Sequence, residues 1–140
     1  MYRNILLALS AVLFVNLAWA AEPSAKLPTP TTIGAVTYVS GGIGQDESTA
    51  MKAAGKNYSM MFEFVVKTEA SSGYASDVRV VLADHNGNKV LDTVSNGPFL
   101  LVKLLPGQYR LEATKDGQTK VRQLGIREGA HQTMLIEWGQ

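Results

Sequence analysis

Cysteine is absent from all 140 residues. Disulfides, thiolate nucleophiles and Cys-ligated metals are therefore excluded, and a small domain in an oxidising compartment must hold together through its core alone. A surplus of one charge is lacking too: thirteen Lys and Arg stand against twelve Asp and Glu. A nucleic-acid or anionic-membrane binder needs a basic excess or stripe, so neither partner is expected. Histidine occurs only as His85 and His131, which leaves little material for a metal centre or acid–base chemistry. No cofactor or metal site is expected. Long apolar runs are missing everywhere but at the start.

That start has its own character. Arg3 precedes an apolar stretch from Ile5 to Val15 broken only by Ser10, and Ala18-Trp19-Ala20 follows as a small-x-small pattern. The stretch is shorter than the ~20 residues that cross a bilayer as a helix. It reads as a signal peptide over 1–20, cleaved before Ala21. Removing it takes away Arg3 and no acid, leaving twelve bases against twelve acids. No Cys follows to carry a lipid, so the expectation is a periplasmic or secreted protein with no membrane anchor after cleavage. Residues 21–32 carry Pro23, Pro28 and Pro30 among small polar residues, which suggests a flexible lead-in. Residues 33–140 are then one domain.

Within that domain the apolar period is two. Met60, Phe62, Phe64 and Val66 alternate with Glu63 and Lys67, and Val78, Val80 and Leu82 repeat the pattern. Tyr109, Leu111 and Ala113 oppose Arg110, Glu112 and Thr114, while Gln132, Met134, Ile136 and Trp138 share one face of the last strand. Ile33 to Ser40 reads as a first short strand. Turn chemistry separates the runs: Asn86-Gly87, Asn96-Gly97, Pro106-Gly107, Asp116-Gly117 and Glu128-Gly129. Thr68 to Gly73 reads as a loop of small residues. From Thr119 to Ile126 the apolar phase slips between Val121 and Leu124, which predicts a bulge near Arg122 and Gln123. One segment breaks the pattern: Gln45 to Ala54 reads as a short helix, with Asp46 and Glu47 in its first turn, Met51 and Ala54 inward and Gly55 closing it. The fold class expected is all-β: an antiparallel Greek-key β-sandwich of about seven strands with one short helix near 45–54.

Between Ala75 and Val121 the order of features resembles the carboxypeptidase regulatory-like domain, a transthyretin-like sandwich. The matching pieces are Val78 to Leu82, Asn86-Gly87, Asn96-Gly97 ahead of Phe99, and above all Leu105-Pro106-Gly107-Gln108-Tyr109. Pro98 departs from that pattern, and Ser40 to Gly55 lies outside it. The resemblance implies a fold module with no active site to transfer, in a short exported bacterial protein. Enzymes of similar fold do not match. The Tyr-Arg-Gly-Ser tail of hydroxyisourate hydrolases is absent, and the two Tyr and two His of intradiol dioxygenases are not reproduced.

Candidate chemistry is sparse. Gly41-Gly42-Ile43-Gly44 ahead of a helix suits an anion cradle, yet Asp46 and Glu47 follow where a P-loop has Lys and Ser or Thr, so a structural corner explains it as well. Asp84, Asn86 and Asn88 imitate the start of a calcium loop, but Lys89 and Ser95 stand where Gly and Glu are needed. No Gly-x-Ser-x-Gly elbow is present. Tyr38, Tyr58, Tyr74 and Trp138 are aromatic residues able to line a surface. The expectation is a non-catalytic binding or accessory module whose surface includes Gly41, Gly42, Gly44, Tyr38, Tyr58 and Tyr74. Its partner would be a protein or an envelope polymer. The alternatives are a structural sandwich that oligomerises through edge strands, and a small metal-dependent hydrolase using His85 or His131.

Overall fold

The computed structural model describes residues 26–139; the expected signal peptide and its cleavage site lie outside them. Ten strands and one helix follow in order: β1 (Thr31–Ile33), β2 (Val36–Gly41), α1 (Gln45–Gly55), β3 (Met60–Lys67), β4 (Ser72–Tyr74), β5 (Arg79–Asp84), β6 (Lys89–Val94), β7 (Phe99–Lys103), β8 (Gly107–Lys115), β9 (Gln118–Ile126) and β10 (Gln132–Gly139). One sheet runs β1-β2-β7-β3-β10, with β4 also pairing to β3; the other runs β6-β5-β8-β9. The two sheets face each other as a β-sandwich, and α1 lies on the outer face of the first.

Each strand's sequence reflects what covers it. Phe62, Phe64, Leu100, Leu111, Ile136 and Trp138 fill the space between the sheets. On the far side of the first sheet, Val39, Met61, Phe99 and Leu101 meet Met51 of α1 in a second, smaller core. β7 is thus buried on both faces, which is why Phe99-Leu100-Leu101-Val102 is continuously apolar and does not alternate. β8 has only one covered face and alternates as expected, Tyr109, Leu111 and Ala113 being buried. Pro106-Gly107 carries the chain from one sheet to the other, and the Tyr109 hydroxyl donates to the Leu105 carbonyl at 2.8 Å to hold that corner. The expected two-sheet β-sandwich with one short helix is what forms.

Several details depart from the sequence expectations. The strand expected over 33–40 is a hairpin of β1 and β2 turning at Gly34-Ala35, with Gly34 at φ 57°. Ser72 and Gly73, at the end of the loop expected over Thr68 to Gly73, join Tyr74 in β4 and pair with the end of β3. The lead-in expected over 21–32 joins the fold before it ends: Leu27 packs into the helix-side core and Thr31 and Thr32 belong to β1. Gly55 does not close the helix with a left-handed residue. It is the last helical residue, and a Cβ there would lie 3.0 Å from Met61 Sδ, so close packing explains the glycine.

The bulge expected near Arg122 and Gln123 is absent, because β8 and β9 pair without a break from Gly107↔Ile126 to Lys115↔Gln118. Lys120 and Arg122 keep the inward phase, and polar side chains are tolerated there because this part of β9 lies at the open edge of the sandwich. The irregularity falls between Leu82 and Ala83, in the β5–β6 pairing. One pairing is not antiparallel: β10 runs parallel to β3, from Gln132↔Met60 to Gly139↔Lys67. No helix of the described residues is long and apolar enough to cross a membrane.

Candidate functional site

The Gly41–Gly44 corner is set by packing. Gly42 has φ 98°, and a Cβ on it would collide with the Phe99 ring. A Cβ on Gly41 would lie 2.5 Å from Glu47 Oε1 and 2.7 Å from Pro28 Cγ. The Gly42 N–H, which an anion would need, already donates to Glu47 Oε1 at 2.7 Å. Gly44, at φ 82°, precedes α1 and makes no side-chain cap. A shallow cleft here is lined by Asp46 and Glu47 with Lys26 as its one base. Its own carboxylate occupies the donor, and the acids repel another anion.

The three expected tyrosines do not converge. Tyr38 is half-buried beside the inter-sheet core, where its hydroxyl accepts from Thr93 Oγ1 at 3.3 Å and so links β2 to β6. Tyr74 is 53% exposed and stands edge-on to Phe99, ring centroids 5.4 Å apart. Lys52 Nζ donates to its hydroxyl at 3.1 Å, and that bond raises the lysine's pKa above its ordinary value. Tyr58 follows α1 and packs against the helix-side core; Lys103 Nζ lies 5.2 Å from its ring centre. Burial pushes the Tyr58 phenol up. Trp138 does not line a surface: it is 2% exposed, tilted against Phe64, and donates from Nε1 to the Gln118 carbonyl at 2.9 Å.

His85 sits in the turn after β5 beside Asp84, whose carboxylate accepts from the backbone of Asn88 and Asn86, each at 2.9 Å. Those bonds hold Asp84 below the usual carboxylate range, the Asn88 N–H contributing most. The three side chains expected to imitate a calcium loop therefore close a hairpin. His131 Nδ1 donates to the Tyr58 carbonyl at 3.1 Å. Among the described residues no three His, Cys, Asp or Glu side chains gather to hold a metal.

Two features emerge that single-residue reading did not single out. One is a cleft of about 360 Å³ lined by residues of the α1–β3 connection, the end of β7 and the β9–β10 turn, including Lys56, Tyr58, Lys103 and Arg127. The other is the edge formed by β10. Gln132 N donates to the Ser59 carbonyl, so the even-numbered residues of β10 bond to β3. In a parallel pair the alternate residues then turn their N–H and C=O groups outward, here at Thr133, Leu135 and Glu137. Leu135 is also 53% exposed. Neither feature has a local motif, because each depends on which strands become neighbours.

No family model matches the chain, and no curated protein does. Among solved structures it is similar in part to the Bacillus anthracis TIE protein, with a TM-score of 0.43 and 14% identity over 57% of this chain and 16% of that one. It is similar in the same degree to BcpA, the major pilin subunit of Bacillus cereus, with a TM-score of 0.42 and 17% identity over 57% of this chain and 30% of that one. The chain thus spans less than a third of either protein's length, and likeness this slight carries no argument about function. Of the expected resemblance to carboxypeptidase regulatory-like domains, the part that stands is the two-sheet β-sandwich.

Proposed function

We propose that this chain is an exported, non-catalytic interaction module that takes up a partner's strand along β10. The observation that carries the reading is an eight-residue edge that no described residue covers, with outward backbone groups at Thr133, Leu135 and Glu137. An exposed, regular edge strand is a template for another chain, and strand addition supplies main-chain hydrogen bonds without a pocket. The N-terminal signal pattern supports export, where such a module meets envelope proteins.

A second reading takes the partner to be another copy. A two-fold axis at Leu135 pairs Leu135 with its own equivalent and places Thr133 opposite Glu137, so the two Glu137 carboxylates avoid each other. The test is photo-crosslinking in cells from position 135, with position 121 on the outer face of β9 as control. Adducts from 135 and none from 121 are expected; twice the chain's mass identifies a second copy, and any other mass a different protein. Equal labelling from both positions, or none from 135, rejects the reading.

A further inference from the structure

We propose that the cleft beside Tyr58 binds a sugar-sized organic anion, gripped by Lys56, Lys103 and Arg127. This site is independent of the β10 edge, and the interaction reading does not require it. Three bases and one acid, Glu128, line it. None of these three forms an ion pair with a described residue, and although Lys26, Lys52, Lys67, Lys120 and Arg122 form none either, only these three share the Tyr58 cleft. Unpaired cations gathered in a concave site raise the local potential far more than the same charges spread over a surface.

The α1–β3 backbone and the Ser59 hydroxyl already spend their polar groups within the chain. Lys56 N and Asn57 N both donate to the Ala54 carbonyl, and Tyr58 N donates to the Gly55 carbonyl at 2.9 Å, so the negative end of α1 is satisfied by its own chain. Ser59 Oγ accepts from Leu104 N at 3.0 Å and donates to the Leu104 carbonyl at 3.1 Å. What remains for a ligand is the three cationic heads and the Asn57 amide, with the Glu128 carboxylate as the one group opposing an anion. About 360 Å³ lies at the small end of the ~300–1,000 Å³ usual for small-molecule sites, which suits one monosaccharide unit and not a larger cofactor. The arginine supplies a planar fork for a carboxylate or phosphate, and the lysines supply point charges.

The test is an amide-shift titration of the isotope-labelled full chain with glucuronate, glucose 6-phosphate, glucose and inorganic phosphate. Saturable shifts of Asn57, Gly129 and Ala130 are expected with glucuronate or glucose 6-phosphate, and none with glucose. Whichever acid binds tighter tells whether the anion is a carboxylate or a phosphate. Lys103→Gln and Arg127→Gln, both on exposed side chains, should each weaken binding about tenfold, one charged contact's worth, with the rest of the spectrum unchanged. Glucose acting as strongly as the acids, shifts equally large around Lys120 and Arg122, or indifference to both substitutions would overturn the proposal. Inorganic phosphate binding as tightly as glucose 6-phosphate would overturn its sugar-sized part.

Discussion

β9 and β10 are edge strands on the same side of the sandwich, one in each sheet, yet they are finished differently. On β9 the Val121 carbonyl accepts from Arg122, and the Gly125 carbonyl accepts from Gln132 Nε2 at 2.6 Å. Its first carbonyl, at Gln118, accepts from Trp138. β10 supplies the donors at Gly125 and Gln118. Of these two carbonyls only that of Gly125, like that of Val121, faces outward from β9. β10 itself receives no such cover from the described residues. The remaining edges follow the protected pattern. β1 is three residues long, and β6 faces a register break and carries Asp92 clasped by Arg79 and Lys89. Short strands, irregular pairing and charge are the usual means of keeping an edge from meeting another chain. Among the described residues β1 and β6 use them and β9, though long and regular, has donors on outward carbonyls, whereas β10 is equally regular and bears the exposed Leu135. The difference is what the proposed strand addition at β10 rests on.

The largest break in this comparison comes from Trp138→Ala. It removes a buried indole from between the sheets together with the bond that closes β9, and should cost about 3–5 kcal/mol in urea unfolding. Gln132→Ala removes only the bond to the Gly125 carbonyl and should cost about 1 kcal/mol. Its more telling effect is to free a β9 backbone group, so association should begin to involve β9 as well. Crosslinking from position 121, silent in the parent chain, reads this out.

These relations were legible in part. Alternation in β5, β8 and β10 marked the one-sided strands, and the Leu-Pro-Gly-x-Tyr corner marked a turn. The helix over Gln45–Gly55 stood out because its acids and Met51 break the two-residue period. The parallel union of β3 with β10 did not, since side-chain alternation is the same in parallel and antiparallel pairs. The exposed edge follows from that union, so it was hidden with it. The cleft was hidden for a similar reason: Lys56, Lys103 and Arg127 are far apart in the chain and meet only through the strand order. The Gly41–Gly44 corner left both a ligand loop and a structural corner open. Glycines look alike in sequence whether they admit a ligand or a neighbouring ring, and here Phe99 takes the space.

The β6 edge should weaken in acid. Arg79, and then Lys89, hold the Asp92 carboxyl below its ordinary range. A carboxylate with a lowered folded-state pKa contributes stability above its unfolded value, near 4, and that contribution disappears as pH falls through the lowered value. The loss on the acid side should therefore begin below about pH 4 and be small, because the pair is exposed. Comparing the acid limb of the parent with that of Asp92→Asn measures it: the variant should start lower and change less. Coinciding limbs would show that the charges at β6 do not contribute.

The smallest effect on stability should come from Leu135→Lys, within about 0.5 kcal/mol, because the side chain is half in solvent and packs against no core. Its effect on association should be the largest of all. A lysine directed along the edge is the device that β10 lacks, and in the two-copy register it sets two ammonium groups opposite each other. Sedimentation velocity over a concentration series separates the outcomes. A parent that grows heavier with concentration beside a variant that does not would mean that β10 joins copies. Constant mass in both, with crosslinks from a photoreactive residue at position 133 formed in the parent and lost in the variant, would mean that the strand it accepts comes from another protein. Unchanged crosslinking from position 133 in the variant would show that β10 does not take up a strand.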